Sequence, residues 1–375
     1  MSPPQDQKTL FTPGPTCTSM TVKRAMLRDV FPRTDEFTLI TQDIMRRLLD
    51  VAGANPKEWN TILLQGTGTY GLEAVIHTTS PKTKDARVLI LMNGFYANRL
   101  VDICEIAGIA HDVLNFGEAK PYDLTKIEKY LSDHKYTLVV GVHCETSNGI
   151  LNPLEAVAEL VRSKQPSAAV LVDAMSSFSA IPLSFDKIDF LVATPNKVVQ
   201  GVPGFAFVLA RTKRLQEYKG NARTLCLDLV KQNEDLQAYG QFRFTPPSHV
   251  LLAAQQALKE YEAEGNPSIR CKRYQSNATT LWAGARRLGL KTLLPQEQLS
   301  PIVTSYLYPK HAKFQLEEFC RRLEVKGFIL FPGKLTNVDS FRIGCLGDIH
   351  PTDVEKLLKA IEEVLKDMGV PIPVP

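Results

Sequence analysis

Phe190-Leu-Val-Ala-Thr-Pro-Asn-Lys197-Val-Val-Gln-Gly-Val-Pro-Gly-Phe-Ala-Phe-Val-Leu-Ala210 contains two apolar runs, 190–193 and 205–210, each short and bounded by Pro or Gly. That is the pattern of buried strands. The ten or so residues between them leave no room for a helical crossover, so one of the pair is expected to run antiparallel to its sheet neighbours. Gly201, Pro203 and Gly204 supply the turn. Lys197 falls at the end of the first run, where burial would lower its pKa and leave a neutral amine able to attack a carbonyl. This points to a lysine that holds a cofactor aldehyde as a Schiff base. Taken alone, the stretch favours the plainer reading of a solvated loop lysine.

Outward from this pair the chain alternates. Strands are expected at 61–65, 87–92, 111–115, 137–143 and 168–172, with helices at 68–79, 96–107, 124–131 and 154–163. Such alternation predicts an α/β fold with a mostly parallel mixed sheet and helices on both faces. Before it come an irregular lead-in over 10–20 and a helix through 45–51. After Pro246-Pro247 the texture changes to long helical patterns at 249–264 and 273–287. Short strands follow at 302–307, 328–331 and 340–343, with helices at 314–326 and 351–368. The expected organisation is a lead-in segment 1–20, a large cofactor-binding domain 21–255 and a smaller C-terminal α+β domain 256–375.

Composition narrows the class. A chain of 375 residues with 44% hydrophobic and 22% charged residues is ordinary for a globular protein. The net charge of +4 is dispersed, which argues against nucleic acid as a partner. No apolar run is long enough to span a bilayer. The opening Met-Ser-Pro-Pro-Gln-Asp-Gln-Lys lacks the apolar core of a signal peptide. Seven cysteines without C-x-x-C spacing suggest free thiols in a reducing, cytoplasmic compartment and no zinc-type site.

Four strand ends carry polar groups. Gly66-Thr-Gly68-Thr69-Tyr-Gly71 follows a strand and opens a helix, where bare N–H groups and two hydroxyls suit a phosphate. The letters also match G-x-G-x-x-G. The next strand, however, ends Leu91-Met92-Asn93 without the acid that a dinucleotide ribose wants, which demotes that reading. Asn93-Gly-Phe-Tyr96-Ala-Asn-Arg99 offers an aromatic ring for a flat heterocycle, or for core packing. His143-Cys-Glu145-Thr146-Ser-Asn-Gly149 ends a third strand. Asp173-Ala-Met-Ser-Ser ends the apolar run Ala-Ala-Val-Leu-Val. A carboxylate there is costly without a partner, and a pyridinium N–H would be one; the alternative is a helix cap. Together these residues make sense as a pyridoxal 5'-phosphate site. The phosphate would sit on the 66–69 turn, the ring on Tyr96 and the ring nitrogen on Asp173. Lys197, 24 residues on from Asp173, would hold the aldehyde and move protons.

At these residues the chain resembles the class V, fold-type I aminotransferases. The matching stretches run in order from residue 11 to residue 344. They include Phe11-Thr-Pro-Gly-Pro15, Leu63-Leu-Gln-Gly66, Val172-Asp-Ala-Met-Ser-Ser-Phe178, Gln200-Gly-Val-Pro-Gly-Phe205, Arg243-Phe-Thr245-Pro, Phe331-Pro-Gly-Lys334 and Phe341-Arg-Ile-Gly344. The resemblance implies that Thr67, Gly68 and Thr69 contact the cofactor phosphate. It places Tyr96 on the ring, Thr146 beside the ring hydroxyl, Asp173 at the ring nitrogen and Lys197 on the aldehyde. Gly14 and Arg342 would contact substrate, and Thr245 would reach the phosphate of a neighbouring subunit in a homodimer. The implied reaction moves the amino group of 2-aminoethylphosphonate to pyruvate. The alternatives are alanine–glyoxylate or serine–pyruvate exchange, a nicotinamide-dependent oxidoreductase, or a non-catalytic relative. Pro195, Asn148 and Thr16-Cys17 depart from the common pattern. The last two positions are expected to bear on the substrate pocket.

Overall fold

The computed structural model describes residues 7–83, 85–265, 267–333, 335 and 338–375; Lys334 and the chain start through Asp6 lie outside them. A seven-stranded sheet forms the centre. In spatial order its strands are Trp59–Gly66, Gly204–Arg211, Phe190–Ala193, Ala169–Asp173, Leu138–Val142, Arg87–Met92 and Ala110–Asn115. Gly204–Arg211 is antiparallel to both its neighbours and the remaining pairs are parallel. The tight turn after Lys197 therefore reverses the chain, as its length requires. The fold is the expected α/β architecture.

The inner parallel strands are largely apolar, with Leu138–Val142 and Ala169–Asp173 buried at every position, because helices cover both faces, while the edge strand Ala110–Asn115 carries His111 and Asp112 and is largely unburied. All six strands of common direction end at one edge of the sheet. The 66–69 turn, Asn93, His143 and Asp173 thus meet there, and Lys197 lies just beyond Ala193.

Several boundaries differ from the sequence expectation. The helix through 45–51 belongs to Asp35–Ala52, which begins at a Thr34 cap and ends at Gly53 in the left-handed region. The segment 96–107 opens as a 3₁₀ turn, Phe95–Ala97, before the helix Asn98–Ile106. The single strand at 328–331 is two pieces in different sheets. Phe328–Ile329 pairs in parallel with Thr9–Leu10, and Phe331–Pro332 pairs with Ser340–Gly344. The lead-in is thus not wholly irregular. Leu10 is in that strand, and Phe11 is fully buried in the core built on the C-terminal helices and strands.

Candidate active site

Lys197 is held in a closed turn. The Gly201 N–H donates to the Pro195 carbonyl at 2.7 Å, and the Gln200 N–H donates to the Lys197 carbonyl at 3.0 Å. Gln200 takes φ +65°, an uncommon conformation for a residue with a side chain. Its amide is anchored by donating to the Tyr274 hydroxyl at 2.7 Å and the Gly347 carbonyl at 2.8 Å. Thr16 Oγ1 donates to the Lys197 carbonyl at 3.3 Å. The lead-in, the strand pair and the C-terminal segment therefore all fix this turn. Gly14, at φ +129°, packs on the lysine stem; a Cβ there would fall 2.8 Å from Lys197 Cγ.

Lys197 Nζ donates to Ser176 Oγ at 3.0 Å and lies 5.9 Å from the centre of the Tyr96 ring. Burial holds the amine below the ordinary lysine pKa, against the pull of Asp173 and Tyr96. Ser176 had drawn no role from the sequence. Its signal was its place three residues after Asp173, in the turn that brings the chain back toward Lys197.

Asp173 is buried, and burial pushes its carboxyl above the usual range while the Met175 N–H, Lys197 and Arg99 pull it down. Oδ1 accepts from the Met175 N–H at 3.0 Å, which is the local capping contact that the sequence left open. Among the described residues no protein donor reaches its other oxygen. Arg99 stacks 4.8 Å above the Tyr96 ring and reaches Thr69 Oγ1 at 3.4 Å, so it joins the ring platform to the 66–69 turn.

The helix Gly68–Thr79 begins at Thr67, whose side chain makes no capping bond, and its first turn carries no acidic residue. Its leading N–H groups are thus available to an anion. Thr67 is exposed, Gly68 buried and Thr69 half-buried. A donor-rich helix start, a ring platform, a carboxylate with one unused oxygen and a depressed lysine amine together fit the phosphate, ring, ring nitrogen and aldehyde of pyridoxal phosphate.

Arg342 is fully buried. Phe341 and Ile343 enter the C-terminal apolar core, and Arg342 points the other way, as strand alternation requires. Its Nη1 donates to the Thr146 carbonyl at 2.8 Å, and Nε and Nη2 donate to the Pro332 carbonyl at 3.2 and 3.0 Å. The Phe331 ring lies 4.6 Å from its Cζ. The Tyr96 hydroxyl is within hydrogen-bonding reach, and no carboxylate pairs with Arg342 among the described residues. Burial lowers its pKa. Thr146 is buried beside it.

Thr245 stands apart. It is exposed and lines a surface hollow with Phe31, Arg33 and Phe244, away from Lys197. Asn148 has both polar atoms engaged, with Nδ2 on the Asn93 carbonyl at 2.8 Å and Oδ1 accepting from the Ile150 N–H at 3.0 Å. It braces two strand ends. Cys17 Sγ accepts from the Leu10 N–H at 3.1 Å and faces the lead-in, not the lysine.

A model of the family described as aminotransferase class-V matches residues 18–266. The chain belongs to the class V aminotransferases. It is similar over 359 residues, at 42% identity, to the 2-aminoethylphosphonate–pyruvate transaminase of Bacteroides fragilis, covering 94% of this chain and 98% of that one. It is 40% identical over 366 residues to the bifunctional phosphonoacetaldehyde hydrolase/aminoethylphosphonate transaminase of Clostridioides difficile. There the match covers 96% of this chain but spans 57% of the relative's length. Among solved structures, alanine–glyoxylate aminotransferase from Nostoc sp. superposes with a TM-score of 0.87 at 26% identity, covering 97% of each chain. Class V aminotransferases work with pyridoxal phosphate, which the donor set described above fits.

This class V chain also carries a buried histidine near its centre. His143 Nδ1 lies 2.9 Å from Ser177 Oγ, and burial pushes its pKa down to about 4. In the unfolded chain a histidine titrates near ~6.5. As pH falls below that value, the unfolded chain takes a proton that the folded protein refuses until about 4. The stability that His143 contributes is therefore present above about pH 6.5 and is lost on acidification toward 4, on the order of 3 kcal/mol in all. The slope of Tm against pH over this window should flatten in His143→Asn; an unchanged slope would assign the acid sensitivity elsewhere.

Proposed function

We propose that this chain transfers the amino group of 2-aminoethylphosphonate to pyruvate, giving phosphonoacetaldehyde and alanine. The observation that carries the reading is 42% identity over nearly the full length of a transaminase named for those two substrates. Bound pyridoxal phosphate would supply an aldehyde that exchanges for an amine and a ring that draws electrons from the neighbouring carbon. The first turn of the helix from Gly68, with Thr67 and Thr69, would hold its phosphate, Tyr96 would stack on its ring, and Thr146 would face the ring hydroxyl. Asp173 would hold a proton at the ring nitrogen through its unused oxygen. Lys197 Nζ, its pKa lowered by burial and its position set by Ser176, takes a proton from the substrate carbon next to nitrogen and returns it. Gly14 lets the lead-in close over the lysine stem and the substrate.

The two substrates place their anions differently. In 2-aminoethylphosphonate the phosphonate is one carbon beyond the carbon bearing nitrogen; in pyruvate the carboxylate is directly on the keto carbon. A planar guanidinium fork accommodates both, whereas an ammonium cannot reproduce the two-point contact. Arg342→Lys should therefore weaken both substrates by about 1.5–3 kcal/mol each, while the absorption of the bound cofactor persists. Steady-state kinetics varying each substrate checks this; unchanged specificity constants for both would move the anion site elsewhere.

We infer further that the protein is a cytoplasmic homodimer with a shared site. Phe31 and Phe244 line the hollow that holds Thr245 and are exposed, and a second subunit would cover them. Mixing Thr245→Ala with Lys197→Ala chains should regenerate activity, because one site of each heterodimer then carries both lesions and the other neither. Heterodimers without recovered activity would argue against sharing. Seven free cysteines, four of them buried, support the reducing compartment. No described helix is long and apolar enough to cross a membrane. Two large apolar cores, one over residues 22–258 and one built from Phe11, Cys17 and residues 278–374, support domains 21–255 and 256–375 behind the lead-in, with a small cluster of Cys144, Ala180, Val198, Tyr274, Ile302, Val303 and Leu346 between them. Assays of alanine formed from 2-aminoethylphosphonate and pyruvate, against serine or alanine with glyoxylate, test the substrates. Preference for glyoxylate would replace this reading.

A further inference from the structure

Glu145 is fully buried next to these residues and has no part in the chemistry described so far. Its Oε2 accepts from the Tyr96 backbone N–H at 3.1 Å. Its Oε1 accepts from the Ser147 N–H at 3.0 Å and from the Ser147 hydroxyl at 2.6 Å. The same hydroxyl accepts from the Phe95 N–H at 3.0 Å. All three groups facing the carboxyl are donors, so both oxygens are used as acceptors, and burial raises its pKa while these bonds pull it down. The fit is close: a Cβ at Gly94 would lie 2.4 Å from Glu145 Cγ. The neighbour in sequence, Thr146, gives its carbonyl to Arg342 Nη1 at 2.8 Å.

We propose that Glu145 is a positioning residue that sets the spacing between the Tyr96 ring platform and the anion-holding guanidinium of Arg342. One oxygen fixes the backbone of Tyr96. The other folds the 145–147 turn so that the Thr146 carbonyl meets Arg342. The Tyr96 hydroxyl, within reach of Arg342, closes the loop from the other side. Cofactor ring and substrate anion are thereby registered against each other through one carboxylate. The proposal rests on the aminotransferase reading for the identity of the anion, but its geometry does not depend on which amine is used.

Glu145→Gln keeps the shape and puts an NH₂ where a donor already stands, so either the Tyr96 or the Ser147 N–H loses its acceptor. In the holoenzyme KM for both substrates should rise about tenfold with a smaller fall in kcat, since the proton-moving Lys197 is untouched. The dissociation constant of methylphosphonate, measured by calorimetry without turnover, should rise in parallel. The circular dichroism of the bound cofactor should change as Tyr96 tilts. Asp189→Asn is the control. It removes a buried carboxylate paired with Arg162 and Arg214 before the strand Phe190–Ala193, and should lower Tm while leaving KM and the dichroism unchanged. Should Glu145→Gln fail to fold, Ser147→Ala removes one donor and the Phe95 acceptor, and about a threefold rise in the same constants is expected. Unchanged KM, methylphosphonate affinity and dichroism in whichever variant folds would overturn the proposal. If the wild type ignores 2-aminoethylphosphonate but the variant still loses methylphosphonate affinity, the substrate reading fails and the positioning role stands.

Discussion

Lys197→Ala is expected to lower turnover by on the order of 10⁴-fold or more, the scale of losing a nucleophile and a proton carrier in one side chain. No other described amine occupies its place. The Gly14 backbone closes over its stem, Ser176 orients its Nζ, and burial lowers its pKa. The turn itself should survive, because its bonds from Gly201, Gln200 and Thr16 are made by backbone atoms of the turn and by side chains other than the lysine. The variant should therefore still take up pyridoxal phosphate through the helix start at Gly68, without the near-visible band that borohydride abolishes in the wild type. Single-turnover assays with and without added amines check this. Turnover within tenfold of wild type would remove Lys197 from the chemistry.

The second large effect is Asp173→Asn. Asparagine can still accept the Met175 N–H through its oxygen, so the capping contact at 3.0 Å survives and the fold should hold. What disappears is the charge that would keep a proton on the cofactor's ring nitrogen. Without it the ring draws electrons weakly, and a fall of about 10²–10³-fold in kcat is expected, as for a lost electrostatic group at a reacting centre. Cofactor affinity should fall less. A loss under about tenfold, ~1.4 kcal/mol, would mean that Asp173 serves as a cap alone.

Much of the fold was legible in the chain. The inner parallel strands are largely apolar runs, because both faces are covered, and the helices that separate most of them change the period to 3.6. The tight link after Lys197 required an antiparallel strand. The helix Gly68–Thr79 and the strand Arg87–Met92 lie where their patterns put them. The weaker readings came where local signals are weak. Phe328–Ile329 and Phe331–Pro332 are one apolar run in sequence, yet a break of one residue sends them to different sheets, one of them to pair with Thr9–Leu10.

The sequence by itself determined that polar groups cap apolar strands, and parallel alternation brings such strand ends to one edge. It thereby placed Asp173, Tyr96, the 66–69 turn and Lys197 near one another. Only the tertiary structure decided what each touches. Ser176 meets Lys197 across 21 residues, and Thr16 meets the same residue's carbonyl across 181. Arg342 meets the Thr146 carbonyl across 196 residues, with the Phe331 ring and the Pro332 carbonyl also against its guanidinium. Glu145 spends its oxygens on Tyr96, 49 residues away, as well as on Ser147. Periodicity and capping act over a few residues and leave a readable trace. A carboxylate or guanidinium chooses its partner by which backbones packing brings within 3 Å, and that distance is set by the whole core.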